Sequence, residues 1–395
     1  MKNIQYLIIG GGMTADSAVR GIRSIDQGAS ICLVSNESVP PYNRPPLSKG
    51  LWQGKSIEKI WRRTENQQVD ICLDTEIVNL NLSRMSASDN RGNEIKYEKL
   101  LLATGTSPRK FPFGGESINY LKYFKDFERL KLLVDQKERF TIIGGGFIGS
   151  EIAASLSLLG KKVTIIFPEN WMNQRIFPME ISSHIHDVFI RHNVNILSGI
   201  SVTGFEEQGE EKIVHLNTKE GISQNLISDG VIAGLGVIPN TKLAQDAGLA
   251  VENGIRVNSQ FQTENPDVFS AGDVANYPDF YLKKNRRVEH EDHANRSGML
   301  AGKNMTGAGL SYEYLPYFYS DLFDIGYEAV GDLDSSLDVT IDWEEPFKKG
   351  TLYYQRDSKI VGILLWNIWG KLDKAREIIL ESRVFNKKDL VGFIK

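Results

Sequence analysis

The chain has 395 residues, 41% hydrophobic and 24% charged: a globular composition, with a length that calls for two or three domains rather than one core. A formal net charge of −4 removes the electrostatic case for nucleic acid or an anionic membrane, and no apolar run reaches the length of a membrane span. Cys32 and Cys72 are the only cysteines; both lie in apolar, strand-like runs without C-x-x-C spacing and read as core residues of a reducing compartment.

Residues 4–9 read as a strand that starts too early to leave room for a targeting segment, so a cytoplasmic location is expected. Gly10-Gly11-Gly12-Met13-Thr14-Ala15 follows, and then a helix to about Ile25. The pattern returns at Gly144-Gly145-Gly146-Phe147-Ile148-Gly149, after the apolar run 141–143 and before the helical positions Ile152, Ala153, Leu156 and Leu159. In a strand–turn–helix of this kind the first glycine turns the chain and the second lets the backbone approach a pyrophosphate. The third small residue lets helix and strand pack, and the N–H groups of the helix start hold the anion. Two such turns predict two dinucleotides and an α/β chain with two Rossmann-like nucleotide-binding domains.

The strand after each helix is expected to end in an acid that holds the adenosine ribose. After Ile31-Cys32-Leu33-Val34 that position is Asn36, with Glu37 following. After Val163-Thr164-Ile165-Ile166-Phe167 it is Glu169. A carboxylate there would repel a 2′-phosphate at a cost on the order of 4 kcal/mol for like charges ~4 Å apart in a partly screened site. NADH is therefore preferred over NADPH, although Arg175 stands six residues on and could bind a phosphate.

Pro41-Tyr42-Asn43-Arg44-Pro45-Pro46-Leu47-Ser48-Lys49 is the first stretch to fix a family. It resembles the flavoprotein reductases typified by apoptosis-inducing factor and by the ferredoxin and rubredoxin reductases of bacterial oxygenases. Further along, Ala103-Thr104-Gly105 follows the strand 97–102 and is similar to the family's flavin-contacting turn. Asp267-Val268-Phe269-Ser270-Ala271-Gly272-Asp273-Val274-Ala275 is similar to its second flavin signature, a strand ending in Gly-Asp before a helix.

The alternating segments of 200–232, around the acidic loop 206–211, read as a hairpin or meander. The stretch 234–240, with Gly236, marks a return to the first domain. Residues 286–294 are expected to open a helix that contains Ser297 and Gly302. Within it, His290-x-x-His293 places two imidazoles on one helix face. A metal reading is rejected for want of a further histidine or cysteine ligand. From about Ser311 short strands at 314–319, 326–330, 339–343, 350–354 and 360–366 precede a helix at 371–381, an α+β domain. Tyr319-Ser320-Asp321-Leu322, Gly326-Tyr327-Glu328-Ala329-Val330-Gly331 and Leu365-Trp366-Asn367-Ile368 resemble the C-terminal domain of apoptosis-inducing factor.

The resemblance, from about residue 4 to about 380, implies an FAD-binding domain at 1–112 and 240–308, an NAD(H)-binding domain at 113–239 and a C-terminal α+β domain at 309–395. On the FAD side it implies Gly10, Gly11, Gly12, Met13, Thr14, Ala15, Asn36, Glu37, Arg44, Lys49, Ile77, Thr104, Gly105, Asp273, Glu289, His290 and Glu291. On the NAD side it implies Gly144, Gly145, Gly146, Phe147, Ile148, Gly149, Glu169, Arg175, Gly236, Tyr319, Glu328 and Asn367. The reaction itself falls to Lys49, Glu151, Phe147, His290 and Tyr319. Phe147 flanks the nicotinamide, and Lys49 meets Glu151 beside the isoalloxazine and favours its anionic reduced form. Glu328 and Asn367 bond the carboxamide.

Three departures qualify the resemblance. The reactive cysteine that related disulfide reductases carry near residues 40–49 is missing, which disfavours a thiol–disulfide relay. Tyr319 stands where relatives usually have tryptophan, and the smaller ring stacks with less area. The polar insertion of the animal members is missing too, so a cell-death role does not follow. The expected activity is that of an FAD-dependent NAD(P)H oxidoreductase taking hydride from NADH and passing electrons to an acceptor without a cysteine relay. A reductase component for a ferredoxin or rubredoxin, a quinone acceptor, and an NADH-sensing interaction module are the alternatives. A homodimer is compatible with each.

Overall fold

The computed structural model describes residues 2–394, which divide into two compact units. The first takes Met1–Arg44, Ser56–Ser107 and Ile238–Pro316, and the second takes Pro45–Lys55, Pro108–Val237 and Tyr317–Lys395.

The first unit is organised on a seven-stranded sheet in the order Asp70–Cys72, Ile31–Val34, Lys2–Ile9, Glu94–Leu102, Ser86–Asp89, Ile77–Asn81, with Val268–Ser270 also paired to Glu94–Leu102. Pairing is parallel from Asp70–Cys72 through Glu94–Leu102 and on to Val268–Ser270, and antiparallel in the last two strands of the order. All four residues of Ile31–Val34 are buried, as in a parallel strand covered on both faces. Helix Met13–Arg23 lies against helix Glu291–Met305, with the backbones close. A Cβ on Gly298 or Gly302 would sit 2.3 or 2.2 Å from the carbonyl oxygens of Thr14 and Ala18. Ala15, Ala18, Val19 and Ile22 fill the core between this helix and the sheet.

The second unit holds a five-stranded parallel sheet in the order Asn195–Ser198, Lys162–Phe167, Arg139–Ile143, Gly230–Ala233, Ile118–Asn119. Helix Phe147–Leu158 leaves the central strand. The segment 200–232 is an antiparallel meander of Ile200–Gln208, Glu211–Thr218 and Ser223–Ser228, after which Gly230–Ala233 rejoins the parallel sheet. The C-terminal part is an antiparallel sheet in the order Tyr317–Leu322, Ile325–Gly331, Lys359–Trp366, Lys349–Arg356, Asp338–Glu345. Helix Leu372–Glu381 packs on it through Ala375, Ile378 and Ile379.

Three local expectations are corrected. No helix follows Asp273: a single turn, Gly272–Val274, leads into the strand Ala275–Asp279. Pro278 disfavours helical geometry at Tyr277, and the extended chain pairs instead with Ile255–Arg256 and Lys284–Arg286. The helix expected from residue 286 starts at Glu291, because Arg286 belongs to that strand and His290 is the extended N-cap. The strand expected from Tyr314 starts at Tyr317, after Pro316, which has no N–H to give a ladder.

Candidate functional site

In the first unit Gly10 has φ 132° and donates its N–H to the Val34 carbonyl at 2.9 Å. A Cβ there would lie 2.2 Å from the Ala103 oxygen, so the turn demands glycine. Gly12 caps helix Met13–Arg23 without any side-chain bond, leaving the first N–H groups unclaimed by a cap. The side of Gly12 where a Cβ would stand meets only the Arg44 guanidinium, at 3.6 Å. Arg44 donates to Glu37 at 2.5 Å and the Tyr42 hydroxyl donates to the other Glu37 oxygen at 2.6 Å. Glu37 is thus held at the end of Ile31–Val34, while Asn36 points to solvent. A helix start with open donors beside an arginine fits a pyrophosphate.

Behind the turn, Asp16 is fully buried. Its Oδ2 accepts from Arg20 at 2.9 Å and Arg62 at 2.7 Å, and its Oδ1 accepts from the Thr64 hydroxyl at 2.7 Å. Burial works to raise this carboxyl, but the donors from Arg20, Thr64 and Arg62 outweigh it and hold it below its usual range. Arg62 also donates to the Asn43 side chain at 2.8 Å, which ties the residues before Arg44 to the helix.

Thr104 donates its hydroxyl to the Asn240 carbonyl at 2.7 Å, next to Gly105 at φ 63°. The Asp273 carboxylate accepts from Thr106 at 3.3 Å, and Arg287 bonds the Asp273 carbonyl at 3.0 Å while pairing with Glu289 at 2.5 Å. His290 caps the helix that Glu291 opens, and burial pushes its imidazole down to about 4 against the pull of Asp273. His293 is fully buried and pushed down by burial to about 3; it stacks on Tyr277 and lies 3.1 Å from the Tyr312 hydroxyl. Ile77 is 6% exposed within the core of the sheet. The thiols of Cys32 and Cys72, forty residues apart in sequence, come within 4.0 Å on neighbouring strands.

In the second unit Gly144 repeats the turn, with φ 112° and a would-be Cβ 2.3 Å from the Gly234 oxygen. Gly145 accepts from the Asn173 N–H at 2.9 Å. Gly146 caps helix Phe147–Leu158 with no atom within 4 Å of the Cβ position, which is open space for an incoming group. At Gly149 a Cβ would fall 1.9 Å from the Gly144 oxygen, whereas Ala15 is accommodated at the matching place in the first turn. Phe147 stands edge-on to Phe318 at 5.4 Å and Ile148 is exposed. Glu169 and Arg175 pair at 3.2 Å near the surface. Gly236, at φ 83°, is exposed, and its carbonyl accepts from the Arg109 N–H at 2.9 Å.

The same unit gathers Lys49, Glu151 and Tyr319. The Lys49 ammonium lies 3.1 Å from Glu151 Oε1, 3.7 Å from Asp321 Oδ2 and 4.3 Å from the centre of the Tyr319 ring. Glu151 is 6% exposed. The hydroxyls of Ser48 and Ser320 each donate to it at 2.6 Å. Neither serine is singled out by the sequence, although each neighbours a residue that is; only the fold shows that they converge. Burial, and next the Glu151 charge, push the Tyr327 phenol well up, so it stays neutral beside the carboxylate. Glu328 pairs in register with Tyr319; burial raises its carboxyl against the opposing Arg376, and its Oε2 is buried without a hydrogen bond. Asn367 is engaged elsewhere: its oxygen accepts from the Gly326 N–H at 2.6 Å and its amide donates to the Lys348 carbonyl at 2.9 Å.

A family model described as pyridine nucleotide-disulphide oxidoreductase matches residues 4–298, and one for the C-terminal part of mitochondrion-associated apoptosis-inducing factor matches 301–343 and 338–381. The chain is 32% identical to the mitochondrial apoptosis-inducing factor 1 of Dictyostelium discoideum, covering 97% of this chain and 79% of that protein. It is also 32% identical to monodehydroascorbate reductase 2 of Arabidopsis thaliana, covering 98% of both. Among solved structures it is similar to the ferredoxin reductase of the CYP199A2 system of Rhodopseudomonas palustris, with TM-score 0.91, 26% identity and coverage of 99% and 98%. The covalent putidaredoxin reductase–putidaredoxin complex matches with TM-score 0.88, 26% identity and coverage of 97% and 94%.

Proposed function

This chain belongs to the pyridine nucleotide-disulphide oxidoreductase family and is a flavin-dependent NAD(P)H oxidoreductase, and we propose that it takes hydride from NADH onto FAD and delivers the electrons to an acceptor without a cysteine relay. The observation that carries this is the Lys49–Glu151–Tyr319 cluster: a buried cation, its counter-charge and an aromatic ring. FAD, when bound, supplies the redox chemistry. The chain positions the reactants, excludes water and supplies fixed charge. The turn at Gly10–Gly12 with Arg44 holds the FAD pyrophosphate and Glu37 its ribose. The turn at Gly144–Gly146 holds the NADH pyrophosphate and Glu169 its ribose. The buried Glu328 oxygen accepts the N–H of the nicotinamide carboxamide, a role its lack of a hydrogen-bond donor suits.

NADH is favoured over NADPH because the Glu169 carboxylate would repel a 2′-phosphate, and Arg175, which pairs with it at 3.2 Å, offsets only part of that repulsion. The functional division is FAD binding by 1–112 and 240–308, NADH binding by 113–239 and completion of the nicotinamide site by 309–395. Both cysteines are free thiols, which suits a reducing compartment such as the cytoplasm. No helix among the described residues is long and apolar enough to cross a membrane.

Two acceptors have specific support. Two solved relatives at 26% identity are a putidaredoxin reductase and a ferredoxin reductase, which favours a small iron–sulfur protein. The full-length likeness to monodehydroascorbate reductase favours the ascorbate radical. The test is NADH-driven turnover of the FAD-loaded protein with a purified ferredoxin, a quinone and enzymatically generated monodehydroascorbate in parallel. Turnover with one of them at well above the rate with dioxygen supports the reading. Failure of NADH to reduce the bound flavin at all overturns it.

A further inference from the structure

Two buried hydroxyls hold Glu151, one on each carboxylate oxygen. Its Oε2 accepts from Ser48 and its Oε1 from Ser320, both at 2.6 Å. Ser48 is 4% exposed and Ser320 is fully buried. The Ser48 hydroxyl is 3.4 Å from the Pro45 carbonyl, so its single proton belongs to Glu151. The Ser48 carbonyl in turn accepts from the Ser155 hydroxyl at 3.1 Å, one turn further along the Glu151 helix. Two other chain segments therefore fix one carboxylate, and one of them is tied back to the helix that carries it.

The consequence falls on Lys49. Its ammonium is within ion-pair range of Glu151 Oε1, yet it makes no hydrogen bond to any acceptor, although Nζ is buried. A carboxylate offers about four lone-pair sites and prefers charge-assisted donors. With two sites taken by short hydroxyl bonds, the ammonium keeps its counter-charge without turning its N–H groups onto it. Without the hydroxyls, the nearest donor able to satisfy Glu151 is Lys49 itself.

We infer that Ser48 and Ser320 are positioning residues that occupy Glu151 so that the Lys49 N–H groups stay free to donate to the electron-rich edge of the redox cofactor. This rests on the flavin reading above. The serines touch no reactant; they act through Glu151 on the direction in which Lys49 donates.

The experiment uses the FAD-loaded full chain and compares Ser48→Ala, Ser320→Ala, the double variant and Ser320→Thr by flavin midpoint potential and visible absorption. Each alanine is expected to lower the potential. The double variant should lose at least tenfold in the equilibrium constant for reduction, about 30 mV for a two-electron couple. Ser320→Thr, which keeps a hydroxyl, should hold the wild-type potential and keeps the test alive if the double variant does not fold. In a Lys49→Met background the alanines should shift nothing further, since a shared route is non-additive. An unchanged or raised potential in a folded, FAD-replete alanine variant overturns the inference, as does a full further fall in the Lys49→Met background. If instead Lys49→Met alone leaves the potential at its wild-type value, the flavin reading of Lys49 fails first and the inference with it.

Discussion

The two glycine turns share their backbone and differ in what stands around them. Each is followed by a strand that ends near an acid paired to an arginine a few residues on: Glu37 with Arg44, and Glu169 with Arg175. The first pair is enclosed, with side chains 9% and 20% exposed, and Tyr42 supplies a third bond. The second is open, with Glu169 31% and Arg175 88% exposed. The helices differ likewise. The fourth residue of the first is Asp16, whose carboxylate gathers Arg20, Arg62 and Thr64. The fourth of the second is Ser150, whose hydroxyl folds back onto the Gly146 carbonyl at 2.9 Å. A prebuilt, enclosed network suits a cofactor that stays. A loose surface pair that ligand can rearrange at little cost suits one that exchanges each turnover.

The sharpest way to break this contrast is Asp16→Ala. It strips the counter-charge from two arginines and should lower stability by about 3–5 kcal/mol in urea unfolding, with loss of bound FAD. Ser150→Ala, at the matching position of the second helix, should cost far less, since it removes a hydroxyl that only folds back onto its own helix. Next comes Lys49→Met, which removes fixed charge from the proposed reacting centre. It should slow flavin reduction by NADH about 10²–10³-fold in stopped flow, with NADH affinity changed far less.

Acid should act on the first unit in two phases. Burial holds His293 at about 3, below its ordinary 6.5, so the unfolded chain binds its proton first and stability falls as pH drops from about 6.5 toward 3. The loss at pH 5 is on the order of 2 kcal/mol. Asp16, held below 3.8, contributes fully above that value, and its share is lost only as pH falls through its lower folded value. Urea titrations from pH 7 to pH 3 separate the two phases, and Asp16→Asn should flatten only the lower one.

Smaller effects distinguish the two acids. Glu37→Ala removes the carboxylate from Arg44 and Tyr42 and should weaken FAD binding by about 1–2 kcal/mol, read by isothermal titration of the apoprotein. Glu169→Ala should leave FAD content and unfolding untouched, and narrow the NADH-to-NADPH ratio of kcat/KM by less than tenfold. If Glu169→Ala also released FAD, the division between resident and exchanging sites would fail.

The α/β class and the two nucleotide turns were legible because their glycines answer to local geometry that a few residues encode. The strands of the C-terminal α+β part were legible too, as short runs before a helix, although Pro316 delayed the first of them; their antiparallel order was not. The strand after Asp273 was not, since its partners at 255–256 and 284–286 are set by tertiary pairing. Neither was the cage around Glu151: Ser48 and Ser320 lie 103 and 169 residues from it, and a serine's pattern says nothing about such distant acceptors. The adjacency of Cys32 and Cys72 was hidden for the same reason.

On the proposed function, NADH directly reduces the flavin that this chain holds. Anaerobic titration of the FAD-loaded protein with NADH, followed by visible absorbance in the wild type and in a Cys32→Ser, Cys72→Ser variant, tests it most directly. Stoichiometric bleaching to the same extent is expected in both proteins. A flavin that NADH leaves oxidised, or one reduced in the wild type but not in the folded cysteine variant, would contradict it.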